Sequence, residues 1–103
     1  MALSLQVLYP ATDGTTFDMD YYLGTHIPMV GEHMGAFIEN VLVTKGLGGG
    51  APDAPAQYHA VATMTFADKD ALNAALAAAP PVVADIANFT NVEPQMMVGE
   101  VIA

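Results

Sequence analysis

Tyr22 and His26, four residues apart, are the first pair in this sequence that could do chemistry together. On a helix that spacing stacks two side chains on one face. A phenol beside an imidazole offers a hydrogen-bond donor and a general base that works near neutral pH. Met29 and Val30 continue the same face, with His33 beyond them. A competing assignment makes His26 a packed histidine that satisfies a backbone carbonyl freed by Pro28, and spacing alone does not decide between the two. His33 lies about 10 Å from His26 along an ideal helix, whereas two ligands of one zinc ion hold their donor atoms about 4 Å apart. No shared metal site is expected, and His33 beside Glu32 reads as a surface residue.

Further candidates for substrate contact are Tyr9, Met29, His59 and Asn91, the last as an orienting amide. His59 alternates with Val61, Thr63 and Thr65, so it lines either a pocket or a dimer face. Seven methionines are many for the length. Met19, Met29, Met64, Met96 and Met97 suit either an adaptable apolar pocket or plain core filling. The run Gly46-Leu47-Gly48-Gly49-Gly50 lacks the following helix and the Lys-Ser/Thr ending of a phosphate-binding loop, and reads as a mobile connection. Asp18 and Asp20 are best explained as helix-start residues.

The elements that must hold these groups follow from periodicity. Ala2 to Tyr9 alternates apolar and polar residues and predicts a strand, which Pro10 stops. Asp18 caps a helix that runs towards Met34. Pro28 inside it predicts a bend between Gly24 and Pro28, because its ring clashes with the carbonyl four residues back. Phe37 to Lys45 and Tyr58 to Phe66 predict strands, Lys69 to Ala79 a helix, and Val82 to Ala87 a short helix after Pro80-Pro81. Asn88 to Asn91 reads as a turn and Pro94 to Ile102 as the last strand. The order βαββαβ predicts an α+β, ferredoxin-like fold, a four-stranded antiparallel sheet with helices on one face. The strands look apolar on both faces, so the uncovered face is expected to meet a second copy of the sheet.

Composition narrows the function classes. The 103 residues fit a single domain, 1–103. Eleven acidic residues stand against Lys45 and Lys69, there is no Arg, and the net charge is −9. Nucleic acid is excluded as a partner, since phosphate neutralisation needs clustered Lys and Arg. Nucleotide cofactors are disfavoured for the same reason, so the expected ligand is small and neutral or weakly polar, with no cofactor. Cysteine is absent, which removes disulfides and thiolate chemistry. No apolar run is long enough for a membrane span, and no secretory signal is visible; with the missing cysteines this predicts a cytoplasmic protein. A hydrophobic content of 53% and mean hydropathy of +0.39 are high for so short a chain, which again predicts a homodimer through the sheet.

Several spaced motifs resemble the EthD-domain family. They are Val7-Leu8-Tyr9-Pro10, Phe17-Asp18-Met19-Asp20-Tyr21-Tyr22, His26-Ile27-Pro28, the Gly46 to Pro52 run, and Asn88-Phe89-Thr90-Asn91-Val92-Glu93-Pro94. The resemblance implies the dimeric α+β barrel, in which two sheets pair. Relatives on that fold include cofactor-free monooxygenases, muconolactone isomerases and haem-handling enzymes, and fold does not choose among them. The family's namesake is associated with ethyl tert-butyl ether degradation. Three functions stay open at this point. One is a cofactor-free catabolic enzyme acting on a small hydrophobic oxygenated compound, with His26 as acid/base and Tyr22 assisting. The second is a non-catalytic accessory or metabolite-binding protein, and the third a haem binder.

Overall fold

The computed structural model describes all residues, Met1–Ala103. Four strands form one antiparallel sheet in the order β2-β3-β1-β4. They are β1 (Leu3–Pro10), β2 (Asn40–Lys45), β3 (Tyr58–Phe66) and β4 (Gln95–Glu100). The helices pack on one face, giving the α+β, ferredoxin-like arrangement expected from the element order. Leu5, Val7 and Tyr9 of β1 and Ala60, Ala62, Met64 and Phe66 of β3 supply the sheet side of the core. No helix is long and apolar enough to cross a membrane.

The first helical segment departs from the expected bend in an informative way. Asp18 caps α1 (Met19–Tyr21), accepting from the Tyr21 N–H through its side chain. The chain then widens into a π-helical turn, Tyr22–His26, before α2 (Ile27–Met34). The Ile27 N–H bonds to the Tyr22 carbonyl, five residues back, in place of the α-helical partner. Pro28 therefore enters in the first turn of α2, where its fixed φ is suited to helical winding. Gly35–Phe37 closes the segment as a 3₁₀ turn, so β2 starts at Asn40 and not at Phe37.

In the second half, Asp68 caps α3 (Lys69–Ala78) through the Ala71 N–H. Pro80-Pro81 does not merely break that helix: it occupies the first positions of α4 (Pro80–Asp85), which a 3₁₀ turn, Ile86–Asn88, continues. Proline is preorganised for a first turn, and this moves the start two residues ahead of the expected Val82. The last strand is Gln95–Glu100 in place of Pro94 to Ile102: Pro94 has no N–H to donate to the ladder, and pairing with β1 ends at Glu100 opposite Leu3, the first residue of that strand.

Register corrects the expectation of two apolar faces. Opposite the helices lie Leu8, Val61, Leu42 and Met97, but interleaved with Ser4, Gln6, Thr63 and Thr65. Gln6 even donates to the Thr63 hydroxyl at 3.3 Å. Much of the exposed apolar surface lies instead on the helix side of the outer strands, where Val41, Met96 and Val98 are about half exposed.

Two loops depend on glycine. Gly14 has φ +81°, a conformation that favours glycine, and it turns the segment after β1. Gly46 leaves β2 so close to the neighbouring strand that a β-carbon there would collide with the Tyr58 carbonyl oxygen, whereas one at Gly50 would meet nothing within 4 Å. Gly46→Ala is therefore expected to cost about 1–3 kcal/mol in urea unfolding, and Gly50→Ala to leave the midpoint unchanged; equal midpoints for both variants would contradict this packing.

Candidate functional site

One charged residue stands in the stretch from Pro80 to Val92, and it is Asp85. It ends α4, the negative end of a helix, where a carboxylate is normally disfavoured. Three donors compensate. Tyr21 Oη donates to Oδ1 at 2.7 Å, Asn88 Nδ2 donates to the same oxygen at 2.9 Å, and His26 Nδ1 lies 3.0 Å from Oδ2. The Asn88 bond, then those from Tyr21 and His26, hold the Asp85 carboxyl below its ordinary value against the opposing effect of burial. Tyr21 is pushed up in return, chiefly by donating to Asp85.

An ionised carboxylate only accepts, so His26 Nδ1 must carry the hydrogen in this pair. Nε2 is then the imidazole's free lone pair, the tautomer a general base requires. His26 is buried. Its ring lies nearly parallel to that of Tyr22, 5.7 Å away at 18°, and 4.5 Å from Phe89. The π-turn brings this about by carrying both Tyr22 and His26 on its inner side.

Tyr9, Tyr22 and His26 line one cavity of about 80 Å³ between sheet and helices, whose other walls are aliphatic and methionine side chains such as Val7, Met64 and Met96. Tyr9, Tyr22 and His26 carry the only polar side-chain groups on its lining. Tyr22 is fully buried, and its hydroxyl has no hydrogen-bond partner. Burial pushes its phenol up to about 12. Tyr9 is raised further, by burial and by the neighbouring Tyr22. A wider groove of about 1130 Å³ runs along the outside and shares Val83, Ile86 and Met96 with the cavity. Those three side chains form the threshold between solvent and the histidine.

The other expected contact residues lie elsewhere. Met29 packs against the core without lining the cavity. Tyr9 pairs with Ala60 and Pro10 with Tyr58, so a bulge leaves His59 without a partner in β1. Its ring stacks on Phe17 at 5.3 Å and its Nε2 meets Thr15 Oγ1 at 2.9 Å. Asn91 lies on the outer groove, and its amide clasps the β1–α1 loop: Oδ1 accepts from the Thr16 N–H and Nδ2 donates to the Gly14 carbonyl. Asp85 and Tyr21 are the groups that the sequence reading missed. The one available signal was the solitary charge within an apolar, proline-led segment.

Comparison with known proteins agrees with this architecture. Residues 12–93 match the EthD domain. A crystal structure of an EthD-like protein from Ralstonia eutropha is 32% identical, covers 99% of this chain and 93% of its own, and has a TM-score of 0.89. A dimeric ferredoxin-like protein of unknown function from Thermobifida fusca is 16% identical over 98% of this chain and 92% of its own, with a TM-score of 0.68. SnoaB, a cofactor-independent oxygenase from Streptomyces nogalater, is 11% identical over 99% of this chain and 93% of its own, with a TM-score of 0.61. The last two likenesses show the fold alone. No curated protein matches the sequence. The match over most of the chain and the likeness to the Ralstonia protein show that this chain belongs to the EthD-domain family.

Proposed function

We propose that this chain binds a compact, neutral or weakly polar oxygenated molecule in the apolar cavity and catalyses proton transfer on it without a nucleotide cofactor. His26 is the acid/base, Asp85 positions it, and Tyr9 and Tyr22 contact the substrate. The observation that carries this reading is the Asp85–His26 hydrogen bond at the wall of an otherwise apolar cavity. Met29, His59 and Asn91 stand outside that cavity and play no part in it. The carboxylate fixes the tautomer and stabilises the imidazolium that forms when Nε2 accepts a proton, the role such a residue plays beside any catalytic histidine. Walls without cations favour an uncharged ligand. The likeness to a cofactor-independent oxygenase supports the reading only so far as the same frame houses chemistry of that kind there. A catabolic role in the cytoplasm is the setting this ligand class suggests.

The sheet face opposite the helices is the proposed homodimer interface, supported by the Leu8, Val61, Leu42 and Met97 side chains on it, of which Leu42 and Met97 are more than half exposed, and by the dimeric Thermobifida neighbour. Each copy brings a charge of −9, so salt should tighten the dimer by screening repulsion between the copies.

Three outcomes are expected. With a panel of small lactones, phenols and ethers, His26→Gln and His26→Ala should lose on the order of 10²–10⁴ in turnover while retaining ligand binding and the native circular dichroism spectrum. Full activity in both would sink the assignment, and saturable binding without product in the native protein would turn it towards a carrier. Asp85→Asn should lower kcat and change acid stability. Because the folded Asp85 pKa is depressed, its stabilisation is complete above the ordinary carboxylate value of 3.8 and lost as pH falls below it. The melting-temperature gap between Asp85→Asn and the native protein should therefore be widest near neutrality and close towards acid; a gap independent of pH would contradict the network. Light scattering should give a dimer that dissociates on Val61→Lys and strengthens with salt, and a monomer at micromolar concentration in the native protein would refute the interface.

A further inference from the structure

Tyr22 presents an unusual economy of contacts. Its side chain is fully buried, yet its hydroxyl bonds to nothing in the chain. Buried hydroxyls are nearly always paired, and each exception calls for an explanation. A phenylalanine would fill the same space at lower desolvation cost. Tyr9 is the second phenol on the same cavity; it is 2% exposed and its ring meets that of Tyr22 edge-on, with centroids 5.7 Å apart.

We propose that Tyr9 and Tyr22 together form an oxyanion site, and that the cavity takes compact ketones whose enolate oxygen the two phenols hold while His26 moves the α-proton. The proposal rests on the reading of His26 as the base and specifies what that base acts on. Both phenols stay protonated at neutral pH, since burial raises each and ionisation of one would repel ionisation of the other. They are therefore donors, not bases. Donors held ready in a water-poor cavity act most strongly on an oxygen that gains charge during the reaction. A ketone oxygen gains a full charge on enolisation, whereas an ether oxygen gains none until a bond breaks. A carboxylate substrate would meet the same two donors but no cation, in a chain of net charge −9.

The proton transfer balances within the site. His26 Nε2 takes a proton from the carbon next to the carbonyl. The C–H electron pair becomes the new C=C bond, and the carbonyl π pair moves to oxygen, where the phenol O–H groups receive it. Return of a proton from the imidazolium to carbon restores the ketone, or yields its isomer if a conjugated carbon takes it. No oxidant or reductant is needed.

Acetone and butanone in D2O are the direct probes, with loss of their α-proton signals followed by proton NMR. The native protein should exchange them faster than buffer alone. Tyr22→Phe and Tyr9→Phe should each lower kcat on the order of 10²-fold with KM little changed. The melting temperature of Tyr22→Phe should equal or exceed that of the native protein, because no hydrogen bond is lost. Exchange no faster than buffer would overturn the ketone assignment; if His26 variants still abolish turnover of the lactone, phenol and ether panel, His26 as base survives that failure. Full exchange in both tyrosine variants with none in His26→Gln would remove the oxyanion pair and keep the histidine. Absence of any His26 effect on either set of compounds would remove both readings.

Discussion

A carboxylate buried between apolar helices has to be satisfied on both oxygens, and most of this small structure is arranged around meeting that demand. Asp85 draws one donor from α1, one from the π-turn and one from the 3₁₀ turn that follows its own helix. Withdrawing any of them would leave a charged acceptor short of partners in a low-dielectric setting, where the penalty is steep. The same contacts fix the hydrogen on His26 Nδ1 and so decide what the other nitrogen can do. Packing, protonation and chemistry are here consequences of one ion's solvation.

The aromatic residues extend that control. Tyr9, Phe17, Tyr22 and Phe89 meet largely edge-on, at centroid separations of 5.0–5.7 Å, the geometry ring quadrupoles favour. Rings so wedged have few alternative rotamers. The cavity that Tyr9 and Tyr22 border is thus held in shape by rings wedged behind them, which suits a site whose polar groups must be aimed in advance. Asn91 and Thr90 add a second restraint from outside. Thr90 donates its hydroxyl to the Thr16 carbonyl, and with Asn91 it pins the loop that carries Phe17 into the cluster.

Much of the fold was legible because its signals are local. Alternation marks β3 from Tyr58 to Phe66 to the residue, and Asp18 and Asp68 announce their helices through side-chain caps. The nearness of Tyr22 and His26 followed from spacing alone. Asp85 was not legible, because its partner His26 is 59 residues away and no local pattern links them. The bulge at His59 escaped for a similar reason, since register belongs to a pair of strands and not to either one. Pro28 reads from the sequence as an interruption, and Pro80-Pro81 as a break whose second residue suits the first turn of a short helix, one step short of both prolines lying in that turn. Proline has two meanings in a helix, and position within the first turn, a property of the folded chain, chooses between them.

The π-turn from Tyr22 to His26 also says something about how this site could have arisen and how it could be lost. A π-turn holds one residue more than the α-helical turn it replaces. Deleting a single residue among Leu23, Gly24 and Thr25 would restore regular winding and swing Tyr22 and all that precedes it by about 100° relative to His26. Tyr21 and His26 could then no longer reach the same carboxylate. For a lineage of such proteins, the decisive genetic event at this position is therefore an insertion or deletion of one codon, a change that a comparison of substitutions alone would never register.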